Sequence, residues 1–178
     1  MKTGVLILLA CLAAHPADGL TSAESKLGPN SWMTRREGFV EVMNLPEERR
    51  TSGMKAALVR ALERENALAA GAAILGEDFS TYYSGLIEAV AAMKDPAAAN
   101  ALLGALGMGR MAADGLAAIG EAAVEPALAM LESTGSRRTK RDLCKLLRRL
   151  EAPAAGLSRH ARSRIGEALG ACDRQLNP

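Results

Sequence analysis

Alanine crowds this chain. It supplies 35 of the 178 residues, against only five aromatics, Trp32, Phe39, Phe79, Tyr82 and Tyr83. Alanine is the strongest helix former and has the smallest apolar side chain of any chiral residue, so a core built from it closes only where helices approach one another tightly. Sheet proteins draw on β-branched and aromatic residues, which are few here. Disordered chains lack apolar residues, which make up 49% of this one. The length suits one domain at about 100–200 residues per domain. Together these features predict a small all-α domain.

The first residues point to a compartment. Lys2 precedes an unbroken apolar run, Gly4 to Ala14, which Pro16 ends and Ala17-Asp18-Gly19 follows with small residues at the positions a signal peptidase reads. The run is too short for the roughly 20 residues that a bilayer span needs. Residues 1–19 are therefore expected to be a signal peptide of an exported protein, periplasmic or secreted. Leu8-Leu9-Ala10-Cys11 also resembles a lipobox, and lipid anchoring at Cys11 is the lesser alternative. No later run is long enough to span a membrane, so the mature chain is expected to carry no transmembrane segment.

Residues 20–44 are expected to be a flexible polar leader, up to about residue 31, followed by a cap over the first helices. From Leu45 a helical repeat domain is expected to run to residue 178. Met54, Ala57, Leu58, Ala61 and Leu62 fall at helical spacing, with Arg60, Glu63, Arg64 and Glu65 on the polar face. Residues 76–81, GEDFST, read as a loop with Ser80 or Thr81 as the next cap. Further helices are expected over 82–93, 97–106, 111–119, 122–131, 137–150 and 158–172, joined by short connections that make neighbours antiparallel.

The helical units repeat weakly. A shift of 31 superposes Val59 on Val90 and Leu62 on Met93. A shift of 26 superposes Val90 on Leu116 and Met93 on Ile119, and one of 25 puts Leu103 on Leu128. Residues 89–106, AVAAMKDPAAANALLGAL, and 115–131, GLAAIGEAAVEPALAML, carry the pattern best. They resemble short bacterial HEAT repeats in their Lys94-Asp95-Pro96 and Ile119-Gly120-Glu121 turns. The resemblance covers about residues 82–132 closely and 45–172 loosely. The last unit departs from it, with neither turn and dense basic charge. The resemblance implies an α-solenoid of three to four antiparallel helical hairpins that binds a protein partner on a concave face formed by the second helix of each pair. It implies no catalytic residues.

No catalytic constellation emerges from the residues themselves. His160 is the one histidine of the mature chain and has no ligand spacing around it. Neither G-x-S-x-G nor G-x-G-x-x-G occurs; Gly104, Gly107, Gly109 and Gly115 read as helix ends and close-approach sites. Glu47-Glu48 and Glu77-Asp78 read as charge at helix starts. No enzyme activity, cofactor or metal is expected. Cys144 and Cys172 would be permitted to pair in an oxidising compartment. A hairpin turning near residue 154 sets them about 12 Å apart, beyond the ~7 Å a disulfide allows, so they are expected to be unpaired.

Two groups remain as candidate contacts. Phe79, Tyr82 and Tyr83 either pack beneath a loop or, if exposed, make the best protein-binding spot. Residues 136–178 carry a net charge of +7 and the remainder −5, which gives the overall +2. Arg137, Arg138, Arg141, Lys145, Arg148 and Arg149 crowd one helix. An exported protein rarely meets nucleic acid, so this basic end either is a solvated face or meets an acidic partner or an anionic surface of the envelope.

Overall fold

The computed structural model describes residues 17–69, 76–152 and 156–176. Their regular structure is all helical, with no strand among the described residues. Most of the expected signal segment, Cys11 included, lies outside them. The helices are α1 (Ala17–Lys26), α2 (Trp32–Met43), α3 (Ser52–Ala69), α4 (Gly76–Ala92), α5 (Ala99–Gly104), α6 (Arg110–Ile119), α7 (Val124–Ser133), α8 (Arg137–Glu151) and α9 (Arg159–Leu176). Short 3-10 turns occupy Glu47–Arg49, Pro96–Ala98, Leu106–Met108 and Gly120–Ala123.

Two expectations change at the N-terminal end. The polar stretch after residue 19 is not a flexible leader. It belongs to α1 and the turn behind it, which pack on α2 and α3 and bury Ala23 and Leu27. The expected cleavage point falls in the first turn of α1. The loop expected over 76–81 is instead the start of α4, where Glu77 and Asp78 sit in the first turn at the positive end of the dipole. Phe79 is buried, and with Tyr82, Tyr83, Leu86 and Val90 it makes one long apolar stripe.

The other starts follow local rules. The Asp95 carboxylate accepts from the Ala97 amide (2.9 Å) ahead of Pro96, and Ser136 Oγ accepts from the Thr139 amide (3.2 Å) to cap α8. Leu143, Leu146, Leu147 and Leu150 are buried, as their spacing predicts.

The main helix–helix packings join neighbours or next neighbours in the chain. α2, α4, α6 and α8 touch in order along one row, and α1, α3, α5, α7 and α9 along another. Val90 and Leu116 take buried positions in α4 and α6, and Leu103 and Leu128 in α5 and α7. The shifts of 26 and 25 thus match helices of the same row. The shift of 31 does not, because Val59 lies in α3 and Val90 in α4. Alanine and glycine let the rows close. A Cβ added at Gly115 in α6 would stand 2.6 Å from the Cβ of Ala91 in α4, so only glycine allows this approach.

The cysteines also overturn the expectation. Cys144 and Cys172 form a disulfide between α8 and α9, with their Cα atoms 6.3 Å apart. The expectation assumed a compact turn near residue 154. Instead α8 ends at Glu151 and α9 begins at Arg159, and α9 is anchored elsewhere. Its lead residue Ser158 donates from its amide and hydroxyl to the Glu121 carboxylate (2.8 and 2.7 Å), at the turn before α7. These hydrogen bonds hold the Glu121 carboxyl below its usual pKa. Started there, α9 brings Cys172 rather than residue 164 opposite Cys144.

Candidate functional site

The aromatic candidates are not surface contacts. Phe79, Tyr82 and Tyr83 are 4%, 3% and 1% exposed. They meet Trp32 and Phe39 of α2, so all five aromatics of the chain join one cluster. Trp32 and Phe39 make edge contacts with Phe79 and Tyr82 at centroid distances of 5.5 and 5.6 Å, and Phe79 stacks on Tyr83 at 5.7 Å.

Beneath the cluster lies a buried polar network. Arg35 of α2 and Glu65 of α3 are 1% and 0% exposed. Arg35 donates from Nε and Nη2 to the two Glu65 carboxylate oxygens (2.6 and 2.9 Å), and Tyr82 donates its hydroxyl to Glu65 as well (3.0 Å). A further Arg35 bond goes to the Pro29 carbonyl. Tyr83 donates to the Asn66 side chain, whose amide group donates to the Ala101 carbonyl at 2.7 Å. Burial, with the Glu65 carboxylate beside it, raises the Tyr82 hydroxyl pKa, and burial pushes that of Tyr83 up to about 12. Every polar partner is thus internal, and the arrangement ties the turn after α1 to helices α2 to α5 rather than offering a reactive group to solvent.

The basic helix presents a different geometry. Residues 138, 141, 145 and 149 of α8 recur at three- and four-residue steps and so share one face. Arg138, Arg141, Lys145 and Arg149 line one side of an open groove of about 470 Å³. Leu106, Gly107, Gly109 and Ala113, from the end of α5 to the start of α6, line the other. Asp142 lies 3.7 Å from Lys145, and Asp114 of α6 pairs with Arg149 and with Arg110 (3.6 Å). Among the described residues no carboxylate lies within ion-pair distance of Arg138 or Arg141. Of the six cations singled out on this helix, the groove brings together four. Arg137 is exposed and does not line the groove, and Arg148 pairs with Asp173 of α9. Beside the groove two methionines stand out of the core, Met108 and Met111, at 56% and 38% exposed.

The cation spacing is readable from the sequence, but the opposite wall is not, because it is brought to α8 by the packing of α6. A second, smaller hollow of about 230 Å³ lies over the disulfide, between Leu128 and Leu131 of α7 and Ala168 and Ala171 of α9. His160 is exposed, and no cluster of three metal-type side chains occurs among the described residues. No helix among them is long and apolar enough to cross a membrane. Comparison with protein-family models, curated proteins and solved structures finds no match.

Proposed function

We propose that the protein is a non-enzymatic binding module that docks an acidic segment of a protein partner in the groove on α8. One observation carries this reading: four cations share a single face of a helix along a concave groove, and two of them have no carboxylate partner among the described residues. A concave site suits an inserted chain better than a planar anionic surface.

The scaffold is read as a short HEAT-like stack of hairpins, α2–α3, α4–α5, α6–α7 and α8–α9. The two continuous rows of alternate helices, α2–α4–α6–α8 and α3–α5–α7–α9, support this, with α6 and α7 joined mainly through the 3-10 turn between them. In this stack the docking face is the seam between α6 and α8, not the row of second helices that the HEAT resemblance implies. Export to an oxidising compartment is supported by the Cys144–Cys172 bond.

A labelled hexaglutamate peptide tests the reading by fluorescence anisotropy. Arg138→Glu/Arg141→Glu should weaken binding at least tenfold. Arg137→Glu/Arg159→Glu, equal in net charge but outside the groove, should change it less than threefold. Binding should also fall steeply with salt. Equal losses in both double variants, or binding to anionic vesicles but not to the peptide, would overturn it.

A further inference from the structure

A run of carboxylates would match only part of the groove. Leu106, Ala113 and Leu146 line it together with the cations, so the surface that a ligand meets there is apolar as well as basic. The exposed methionines carry that apolar character past the rim. Met108 stands between Gly107 and Gly109, both of which line the groove. Met111 lies in the first turn of α6 and lines a shallow hollow on the other flank of that helix, against Ala91 and Ala92 of α4. Asp114 joins the two flanks, since it lines the hollow and pairs with Arg149 of the groove.

The fold makes no use of these two side chains. Met54 is buried, and Met93 and Met130 pack against the core, but Met108 and Met111 do neither. Isolated apolar side chains are ordinary on a protein surface. Here the described residues expose five large ones, Met33, Val40, Leu68, Met108 and Met111. The last two lie three residues apart in the chain, at the border of the groove. Methionine is unbranched and polarizable, and it adapts to the shape of whatever covers it. The charges around the hollow set what that is. Glu88 and Asp114 stand at its edge and repel a further carboxylate, whereas an uncharged apolar side chain meets no such cost.

We infer that the acidic segment taken by the groove carries a large apolar residue beside its acidic run. The cations of α8 receive the carboxylates, and Met108 and Met111 receive the apolar side chain. The inference rests on the acidic-partner reading and adds the second chemical element of the ligand. It holds for a helical and an extended segment alike.

Two labelled peptides of equal charge test it, hexaglutamate with a leucine at each end and hexaglutamate with a glutamine at each end. The leucine peptide should bind at least tenfold more tightly. Met108→Gln/Met111→Gln should bring its affinity within threefold of the glutamine peptide and leave the glutamine peptide unaffected. Both methionines are exposed, so the thermal midpoint and the circular dichroism spectrum of this variant should match those of the parent protein. Met33→Gln/Val40→Gln, which removes exposed apolar side chains on α2, should leave the leucine gain intact. Equal affinity for the two peptides, with Arg138→Glu/Arg141→Glu still weakening both tenfold, would overturn the inference and leave the acidic-partner reading standing. A leucine gain that survives the loss of Met108 and Met111, or that falls equally in the α2 variant, would also overturn the inference. Binding insensitive to Arg138 and Arg141 would remove both.

Discussion

At the scale of single residues, the most consequential group is Glu65. It is fully buried, bonded twice by Arg35 and once by Tyr82. Removing one member of a buried ion pair strands the other charge and costs about 3–5 kcal/mol. Glu65→Ala should therefore lose most of the stability of the α1–α4 end in urea unfolding. Arg35→Met/Glu65→Leu should recover a large part of it, because no charge is then left buried. If the double variant is no more stable than Glu65→Ala, the cost does not come from the orphaned arginine. The chain's two tyrosines offer a second measurement. Both hydroxyls are held protonated by burial, Tyr83 up to about 12. A folded pKa above the unfolded ~10 means that this contribution is complete below pH 10 and is lost as pH climbs through 12. Tyrosinate absorbance should stay absent at pH 10.5 in the native protein and appear at once in urea at the same pH.

At the scale of elements, α4 and α6 meet where Gly115 faces Ala91. Gly115→Ala puts a methyl into occupied space and should cost about 1–3 kcal/mol. Gly107→Ala, which meets nothing, should stay within about 0.5 kcal/mol by the same urea measurement. This contrast shows which parts of the fold a sequence can disclose. The stripe of α8 is periodic, its cap Ser136 is local, and the spacing of Arg138, Arg141, Lys145 and Arg149 follows from helix geometry alone. Arg35 and Glu65 look like solvated charges, because each is 30 residues from the partner that satisfies it. Residues 76–81 look like a loop, because polar letters outnumber the one aromatic side chain, Phe79, that secures the first turns of α4. The cysteines look mismatched, because the anchor that sets the start of α9 is Glu121, 37 residues away. The glycine wall of the groove is ordinary loop sequence until α6 brings it to α8. In each case the missing information is a tertiary contact, not a local propensity.

At the scale of the whole molecule, packing that joins each helix mainly to its neighbours and next neighbours leaves the two ends as the places where unfolding should begin. The ends are secured by different chemistry, the buried Arg35–Glu65–Tyr82 network at one and the Cys144–Cys172 bond at the other. A cross-link with a sequence separation of 28 should contribute about 3–4 kcal/mol by loop closure, which corresponds to about 10 °C in the midpoint for a chain of this size. Reduction by a dithiol should lower the midpoint by that amount and speed amide exchange in α9 first. Equal acceleration in α2 would mean that the ends are not independent. The same bond has a mechanical consequence. If the protein were stretched between its ends, the segment from Cys144 to Cys172 would be bypassed by the load, which would run through the sulfur atoms. Roughly 95 Å of contour length would then stay hidden from force until the bond was reduced.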